Sequence, residues 1–519
     1  MGKAGNRRVP LNDARLSPPA NTDRIASRST TAKSLVWSTL ENGGLAMISF
    51  VSLIIYSRLL SAAEFGLFAT ALAFVELLSV VVTMLFHNAL VQRPEVTELH
   101  FNTAFTATMA LSFVLALGCY AIAPLFAQWV HQPAAAQVLI WMGLVLPCSG
   151  LSATLAARQR RHFAFKSLAL RSLVGRVIGG GIGIAAAFMG AGLWSLVAQQ
   201  ILIAGIGSLV LWVTADKTPR LQFSFTEFKH LFGFGVLSVS GLFLSTSLRR
   251  VFTILASSAL GVEAAGYLNL SFRVVDVFWN IAATAVSQVA LPLLAGLQFE
   301  AARMKRAYQA STQLSCLALY PCFVGLGVVA PEIVEVLFGR RWLPSSPYVA
   351  VLGFLVLLQA PRLLFTPFLT ALGKPRDSLV GLIAEWIFIL CATWIVGMRS
   401  LPWAIAVWVG GECVMVVVSS WMLRRVTGYT LVDQFNGILK PLLAALLMAA
   451  ALTETRLQLL AGLSPALRLM VLIPLGAGIY GGAIFLLDRR LVKDFLAFAQ
   501  SAFARKLQRA VPPQSNAAP

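Results

Sequence analysis

Charged side chains interrupt the long apolar stretches of this 519-residue chain. Guanidinium groups bind phosphate oxygens through a planar fork that is always charged, so arginines in an apolar setting favour an anionic, phosphate-bearing ligand. Carboxylates in such a setting change protonation readily, because burial disfavours their charged form. The pattern predicts an anion-binding interior with groups that respond to a proton or sodium gradient. The residues concerned are Arg176, Arg249, Arg250, Arg273 and Arg362, together with Glu41, Glu76, Asp276, Glu385 and Glu412.

Three arginines on two consecutive apolar stretches are candidates for binding the ligand. Arg249 and Arg250 are separated by about 100° around a helix, so we expect one to face a central cavity while the other reaches the interface or an ion partner. Arg273 precedes Asp276 by three residues. That spacing places both side chains on one helix face and equally favours a local ion pair that cancels both charges.

A fourth candidate, Arg362, lies between two prolines, Pro361 and Pro367. A helix kinked by proline frees backbone groups and turns the arginine inward, although a structural tie to a neighbouring helix carbonyl is an equal alternative. Arg176 lies close to the end of its apolar stretch, where a side chain that snorkels to the interface is the commoner arrangement. We therefore expect Arg176 to be an anchor.

Three of the acidic residues, Glu41, Glu76 and Asp276, are candidates for coupling to an ion gradient. An ionised side chain at bilayer depth costs about 2.5–3.5 kcal/mol on insertion scales, so such residues normally face a protein-lined or watery interior. The alternative for each is an ion pair with one of the arginines. For Glu385 and Glu412 we expect a structural role.

Composition identifies the elements that must position these charges. Hydrophobic residues make up 58% of the chain and charged residues 12%, with a mean hydropathy of +0.78, which excludes a set of ordinary soluble domains. The apolar windows predict an all-α polytopic membrane protein with about 14 transmembrane helices. These lie at residues 34–57, 66–87, 101–126, 135–156, 172–190, 192–213, 233–257, 262–291, 312–331, 346–371, 379–397, 401–423, 438–453 and 467–487.

The distribution of Lys and Arg predicts the orientation. If both termini lie on one side, the connectors and tails of that side hold 30 of the 41 basic residues and the opposite connectors hold 6. The positive-inside rule then places both termini in the cytoplasm. Residues 1–33 are polar and lack the apolar core of a cleavable signal, so we expect a disordered cytoplasmic tail. The net charge of +20 is thus explained by the membrane, and no nucleic-acid partner is expected.

An internal repeat appears when the chain is aligned with itself at an offset of 200 residues. Residues 51–76 and 251–276 share six identities, and Glu76 falls opposite Asp276. Both copies run helix, short outer turn, helix, and each opens a set of six spans, so they share one orientation. Such repeats are related by a pseudo-two-fold axis along the membrane normal, and transporters built this way hold their substrate between the halves.

This repeat predicts the domain organisation. Two six-helix lobes surround a central cavity, and two further helices follow the second lobe. The boundaries are a disordered tail at 1–33, an N-lobe at 34–213, a cytoplasmic linker at 214–232, a C-lobe at 233–423, a loop with the last two helices at 424–487 and a cytoplasmic tail at 488–519.

Five short motifs spread over residues 34–430 carry a likeness to a known family. They are SRLLSAAEFGLFA (57–69), NALVQR (88–93), GYLNLSFRVVDVFWNIAATAVSQVALPLL (266–294), FGRRW (338–342) and LTALGKPR (369–376). Their order and spacing resemble the Wzx-type polysaccharide-repeat flippases of the MOP exporter superfamily, which also contains the MATE drug exporters. Where many relatives look acidic or polar late in the seventh span, this chain has Arg249 and Arg250.

The resemblance implies a bacterial inner-membrane flippase. Its substrate would be an undecaprenyl-diphosphate-linked oligosaccharide, moved to the periplasmic leaflet for O-antigen, capsule or exopolysaccharide assembly by alternating access through a central cationic cavity. Arg249, Arg250, Arg273 and Arg362 would bind substrate, with Glu41, Glu76 and Asp276 in ion coupling. Membrane lipids, a polysaccharide polymerase and a chain-length regulator are the further partners expected.

Two other functions remain open at this point. A MATE-like exporter of small molecules has the same fold, but the intramembrane arginines would repel a cationic cargo. A membrane glycosyltransferase or polymerase would need a sizeable outer loop, and the longest outer connector has about 15 residues. We therefore expect no enzyme, no cofactor and no metal site. The cysteines, expected to pack in the membrane core, are Cys119, Cys148, Cys316, Cys322, Cys391 and Cys413.

Overall fold

A computed structural model describes residues 28–295, 301–374, 377–428 and 430–489, and within these ranges the chain is helical and has no strand. The predicted tails at 1–33 and 488–519 lie mostly outside the described residues, although the first helix already begins at Arg28. The α-helices are α1 (Arg28–Leu59), α2 (Ala62–Met84), α3 (His87–Gln92), α4 (Glu98–Trp129), α5 (Ala134–Gly143), α6 (Val145–Arg161), α7 (Phe165–Phe188), α8 (Leu193–Val213), α9 (Phe225–Leu260), α10 (Val262–Ala295), α11 (Ala301–Val328), α12 (Ala330–Phe338), α13 (Ser346–Gln359), α14 (Phe365–Ala371), α15 (Asp377–Val396), α16 (Leu401–Thr427), α17 (Leu431–Glu454) and α18 (Pro465–Leu487).

The all-α polytopic membrane fold predicted from composition is confirmed. Twelve helical segments of the described chain are long and apolar enough to cross a membrane. Two further long helices, α1 and α10, occupy the positions of the first and eighth predicted spans. Several spans consist of two pieces. The tenth, for example, breaks at a short 3₁₀ turn, Ala360–Arg362, beside the proline from which a kink was predicted.

The repeat-related helices α2 and α10 cross at two glycines that occupy equivalent positions. A Cβ atom added to Gly66 would lie 1.7 Å from the Val262 carbonyl oxygen, and one added to Gly266 would lie 2.1 Å from the Ala62 carbonyl oxygen. The contact is therefore reciprocal at the offset of 200, as expected across a local two-fold axis. Only glycine lets the two backbones approach this closely.

Two of the sequence motifs also meet across this junction. The side chain of Arg58 donates to the Val336 and Leu337 carbonyl oxygens, and the indole Nε1–H of Trp342 donates to the Ser57 carbonyl oxygen at 2.7 Å. Trp342 is fully buried. The motifs at 57–69 and 338–342 therefore form one clasp, which closes the two halves on the side predicted to be periplasmic.

The glycine cluster at 179–184 gives the close helix packing that its composition indicates. In α7, a Cβ added to Gly179 would lie 2.8 Å from the Ile203 backbone nitrogen, and one added to Gly175 would lie 2.9 Å from the Ile203 carbonyl oxygen. Small residues let α7 and α8 pack backbone against backbone, which is a common means of association in apolar surroundings. This packing forms one wall of the N-terminal half.

The last two helices are fastened to the second half by a buried carboxylate. Glu332, at the start of α12, is 2% exposed, accepts from Arg456 Nε at 2.6 Å and lies 3.5 Å from Arg468 Nη1. A buried carboxylate requires such partners, because an unpaired charge would be costly. α17 and α18 therefore belong structurally with the second half.

The prediction that all six cysteines pack in the core was only partly right. All six are free thiols, and Cys119 and Cys316 are buried. Cys148 has intermediate exposure, whereas Cys322, Cys391 and Cys413 are exposed. Sequence position within an apolar span does not say which face of the helix a side chain occupies, and lipid-facing surfaces are as apolar as the interior.

Replacing Gly66 by Ala tests the helix crossing. The new methyl group would collide with the Val262 carbonyl, so we expect the free energy of unfolding to fall by about 1–3 kcal/mol or the protein to fail to assemble. Thermal unfolding of the detergent-solubilised protein measures this. Gly181→Ala is the matched control, because a Cβ there meets nothing within 4 Å and removes only helix-disfavouring flexibility. Equal melting temperatures for the two variants would contradict the crossing.

Candidate functional site

Three of the four arginines predicted to bind substrate are held by carboxylates. Arg249 of α9 pairs with Asp276 of α10, and Arg362 pairs with Glu412 of α16. Arg250 donates from Nε to Glu76 Oε2 of α2 at 2.9 Å and from Nη1 to its own helix at the Thr246 carbonyl. Pairing is what low-dielectric surroundings demand of a charge. It also confirms that Arg249 and Arg250 diverge.

The local ion pair between Arg273 and Asp276, which the sequence left open, is replaced by the contact from α9 to Asp276. The Arg273 guanidinium lies 5.5 Å from the centre of the Phe65 ring, in a cation–π geometry, and within electrostatic range of both Glu76 and Asp276. Arg273 therefore lies between two carboxylates that occupy equivalent positions of the repeat. Its positive charge links the two halves electrostatically.

A cavity of about 300 Å³ lies in the C-terminal half, between α9, α10, α13 and α16. Its wall contains two arginine side chains and one carboxylate, together with an amide and two indole rings. Gln359 Nε2 donates to Glu412 at 2.6 Å, so the amide and the arginine at 362 are held by the same carboxylate. The polar and aromatic residues that line this C-half cavity are Arg249, Asp276, Trp279, Gln359, Arg362 and Trp408.

A second cavity, of about 260 Å³, lies in the N-terminal half between α1, α2, α6, α7 and α8. Arg176, expected to be an interfacial anchor, instead lines this cavity and donates to the Ser49 hydroxyl. Its intermediate burial follows from the packing of α7 against α1, which keeps it from the interface. The polar residues that line this N-half cavity include Glu76, Ser149, Ser152, Arg171, Arg176 and Gln200.

The two cavities are related by the repeat. Four residues of α2 line the N-half cavity, and the residues 200 positions later in α10 all line the C-half cavity. They are spaced as one face of a helix. The pairs are Leu72 with Phe272, Val75 with Val275, Glu76 with Asp276 and Ser79 with Trp279. The predicted arginines are thus divided between two cavities and the bridge that joins them, and their binding roles stay predictions.

The remaining predicted residues have varied positions. Glu41 lies on α1 where side chains are outside the described residues, so its position is not part of this site. Glu385 and Glu412 are both 5% exposed, and Glu412 has the structural ion pair expected of it. Glu385 lies within electrostatic range of Arg362. The four central charges are therefore surrounded by further ionisable groups of the second half.

Sequence reasoning missed several lining residues that helical spacing could have found. Trp279 follows Asp276 by three residues, and Gln359 precedes Arg362 by three, so each shares a helix face with a predicted charge. Trp408 and Arg171 carried no comparable signal. Trp408 lies on α16, far along the chain, and its ring packs 5.0 Å from that of Phe252.

Comparison with known sequences decides the family. The sequence model described as "Polysaccharide biosynthesis protein" matches residues 55–347, more than half of the chain. The chain belongs to this family. The matched segment contains α2, α9 and α10, and with them the repeat, the glycine crossing and three of the four predicted arginines.

Individual relatives of this polysaccharide biosynthesis protein cover most of its length. The succinoglycan biosynthesis transport protein ExoT of Rhizobium meliloti is 27% identical over 91% of this chain and 96% of its own. The teichuronic acid biosynthesis protein TuaB of Bacillus subtilis is 22% identical over 78% of this chain and 85% of its own. The similarity therefore includes both halves.

Solved structures confirm the fold class. The lipid II flippase MurJ in an inward closed conformation superposes with a TM-score of 0.73 at 12% identity, covering 88% of this chain and all of its own. An inward-facing MATE multidrug transporter of the MOP superfamily gives 0.56 at 14% identity, covering 77% of this chain and 95% of its own. The resemblance to the polysaccharide branch of this superfamily is confirmed.

The Arg362–Glu412 pair gives a stability test. Arg362→Met leaves a carboxylate 5% exposed without its cation, and we expect a loss of about 3–5 kcal/mol in the free energy of unfolding. Adding Glu412→Gln removes that charge and keeps an acceptor for Gln359, so the double variant should recover most of the loss. Denaturation of purified protein in detergent measures both. Additive losses would contradict the pairing.

Proposed function

We propose that this chain is a flippase for an undecaprenyl-diphosphate-linked oligosaccharide in a bacterial inner membrane. It would receive the diphosphate and sugar head at the cytoplasmic side and release it at the periplasmic side, while the polyprenyl tail stays in lipid. Membership of a polysaccharide biosynthesis family, the MOP fold and a relative named as a transport protein support transport of a polysaccharide unit. The nature of the lipid carrier and both cytoplasmic termini belong to the proposal.

The observation that carries the proposal is the lining of the C-half cavity. Two guanidinium groups, Arg249 and Arg362, lie there with the indole rings of Trp279 and Trp408 and the amide of Gln359. Guanidinium forks suit phosphate oxygens. Indole rings present flat amphipathic faces, and an amide both donates and accepts hydrogen bonds, so these groups suit a sugar. The combination supports a phosphorylated saccharide better than a cationic drug.

The ion pairs suggest how an anionic head is exchanged. In the unloaded cavity, Asp276 and Glu412 hold the two arginines, which keeps the charges satisfied. A diphosphate would compete for the same guanidinium donors with two negative charges. Because binding frees the carboxylates, it weakens contacts that join α9 to α10 and the tenth span to α16. Substrate entry would thereby loosen the packing that keeps the second half rigid.

The outer clasp supports alternating access. The halves are joined at the outer side by Arg58 and Trp342, and at the helix crossing by Gly66 and Gly266. Opening towards the periplasm would require these contacts to separate while the opposite side closes, as in rocking of two repeat-related lobes. In this proposal the lobes are residues 34–213 and 233–423, with α17 and α18 following the second lobe.

Cavity binding can be tested by keeping the charge and removing the fork. Arg249→Lys and Arg362→Lys should each lower export of surface polysaccharide at least about tenfold and cause lipid-linked repeat units to accumulate, since lysine binds phosphate through a single point charge. Mass spectrometry of extracted lipids in a complemented deletion strain measures the accumulation. Arg340→Ala, whose side chain is 87% exposed, is the control. Normal polymer in both lysine variants at matched expression would refute the cavity.

The coupling role of the repeat-equivalent carboxylates has its own test. Glu76→Gln and Asp276→Asn should each make transport in proteoliposomes less dependent on an imposed pH gradient, because neither neutral side chain can carry a proton between leaflets. Glu454→Gln, exposed at the end of α17, is the control. Gradient dependence equal to that of the unmodified protein in both variants would remove these carboxylates from coupling.

A further inference from the structure

The N-half cavity is separate from the cavity assigned to the substrate. It lies within the first half of the chain, walled by α1, α2, α6, α7 and α8. Its volume of about 260 Å³ is below the range of roughly 300–1,000 Å³ typical for drug-sized ligands. An oligosaccharide head group is too large for it, whereas a small ion with its hydration partners is not.

The charge of this cavity favours an anion. Two guanidinium groups, Arg171 and Arg176, line it, with Glu76 as the one carboxylate printed among its walls. That carboxylate already accepts from Arg250, which approaches from the second half at 2.9 Å. Arg273 adds positive potential, because it lies within electrostatic range of Arg176. The net potential in the cavity is therefore positive.

One donor in the cavity wall has no acceptor. The Nε–H of Arg176 is buried and lacks a hydrogen-bond partner among the described residues, although its Nη1 donates to the Ser49 hydroxyl. A buried donor without a partner is unfavourable, by about 1–3 kcal/mol or more for a charged group. Serine hydroxyls at positions 149, 152 and 172 supply further O–H donors to the same space. A ligand with several acceptor oxygens would satisfy them together.

We propose that the N-half cavity binds a phosphoryl oxyanion, held by Arg176 and Arg171 with serine hydroxyls as further donors. A guanidinium fork and several hydroxyls match a tetrahedral group of oxygens better than a spherical halide, which offers no directional pair of acceptors. Free phosphate and the phosphate of a lipid head group share this chemistry. The site is additional to the flippase proposal and does not depend on it.

Glu76 gives the site a property that a mere basic patch would lack. It lines the cavity and also binds Arg250, so a change on the second half alters the potential felt by an anion in the first half. Removing Arg250 leaves an uncompensated carboxylate beside the anion and weakens binding. Removing the charge of Glu76 does the opposite. The two variants therefore shift the affinity in opposite directions.

The experiment is titration of the purified full-length chain with inorganic phosphate, followed by calorimetry in a detergent free of phosphate. Arg176→Ala should weaken binding at least about tenfold, and Arg250→Ala should weaken it several-fold although it does not line the cavity. Glu76→Gln should tighten binding several-fold. This gain cannot arise from misfolding, so it keeps the test decisive if an arginine variant is unstable.

Two further arms identify the source and the selectivity. Farnesyl diphosphate added in detergent competes with phosphate if lipid head groups enter the site, and fails to compete if only the free anion does; both outcomes support a phosphoryl site. Chloride competing as strongly as sulfate would overturn it, as would phosphate binding unchanged by both Arg176→Ala and Glu76→Gln. Because no lipid-linked oligosaccharide is used, failure here leaves the flippase proposal intact, and failure of transport leaves this site intact.

Discussion

The free-energy cost of an isolated charge in an apolar setting governs the centre of this molecule. An arginine or carboxylate at bilayer depth requires a partner, and each partner chosen here joins two helices. Arg250 ties α9 to Glu76 of α2 across the two halves, and Arg249 ties α9 to Asp276 of α10. The helix that opens the second half is therefore fixed to both repeat-related helices by its two adjacent arginines. Any ligand that competes for these guanidinium groups alters how the halves are joined.

The pair formed by α2 and α10 organises both cavities. The helices cross at Gly66 and Gly266, and the faces that begin one turn beyond the crossing line one cavity each. Because the helices are in backbone contact, a shift of one must be accommodated by the other. The N-half and C-half cavities are thus mechanically as well as electrostatically connected. Arg273, between Glu76 and Asp276, provides the electrostatic connection.

The symmetry of backbone and cavities is not matched by symmetry of chemistry. Positions 49, 50 and 73 of the first copy are Ser, Phe and Ala, where the second copy has Arg249, Arg250 and Arg273. The N-half cavity obtains its positive charge from α7 instead. A duplicated scaffold has therefore been given two different sites, with aromatic rings in one and hydroxyl groups in the other. This difference supports separate ligands for the two cavities.

The sequence by itself determined the class of protein, the approximate position of the fourteen spans and the existence of a repeat, because hydrophobic length and local spacing are properties of contiguous residues. It also identified the charges that matter, since an ionisable residue in an apolar run stands out without any structure. Tertiary structure alone decided which carboxylate each arginine binds. Asp276 is three residues from Arg273 but pairs with Arg249, and Arg176 lines a cavity where an interfacial anchor was expected. Partners that lie on different helices are set by how those helices cross, and the crossing depends on close contacts such as Gly66 with Gly266, which no local pattern specifies.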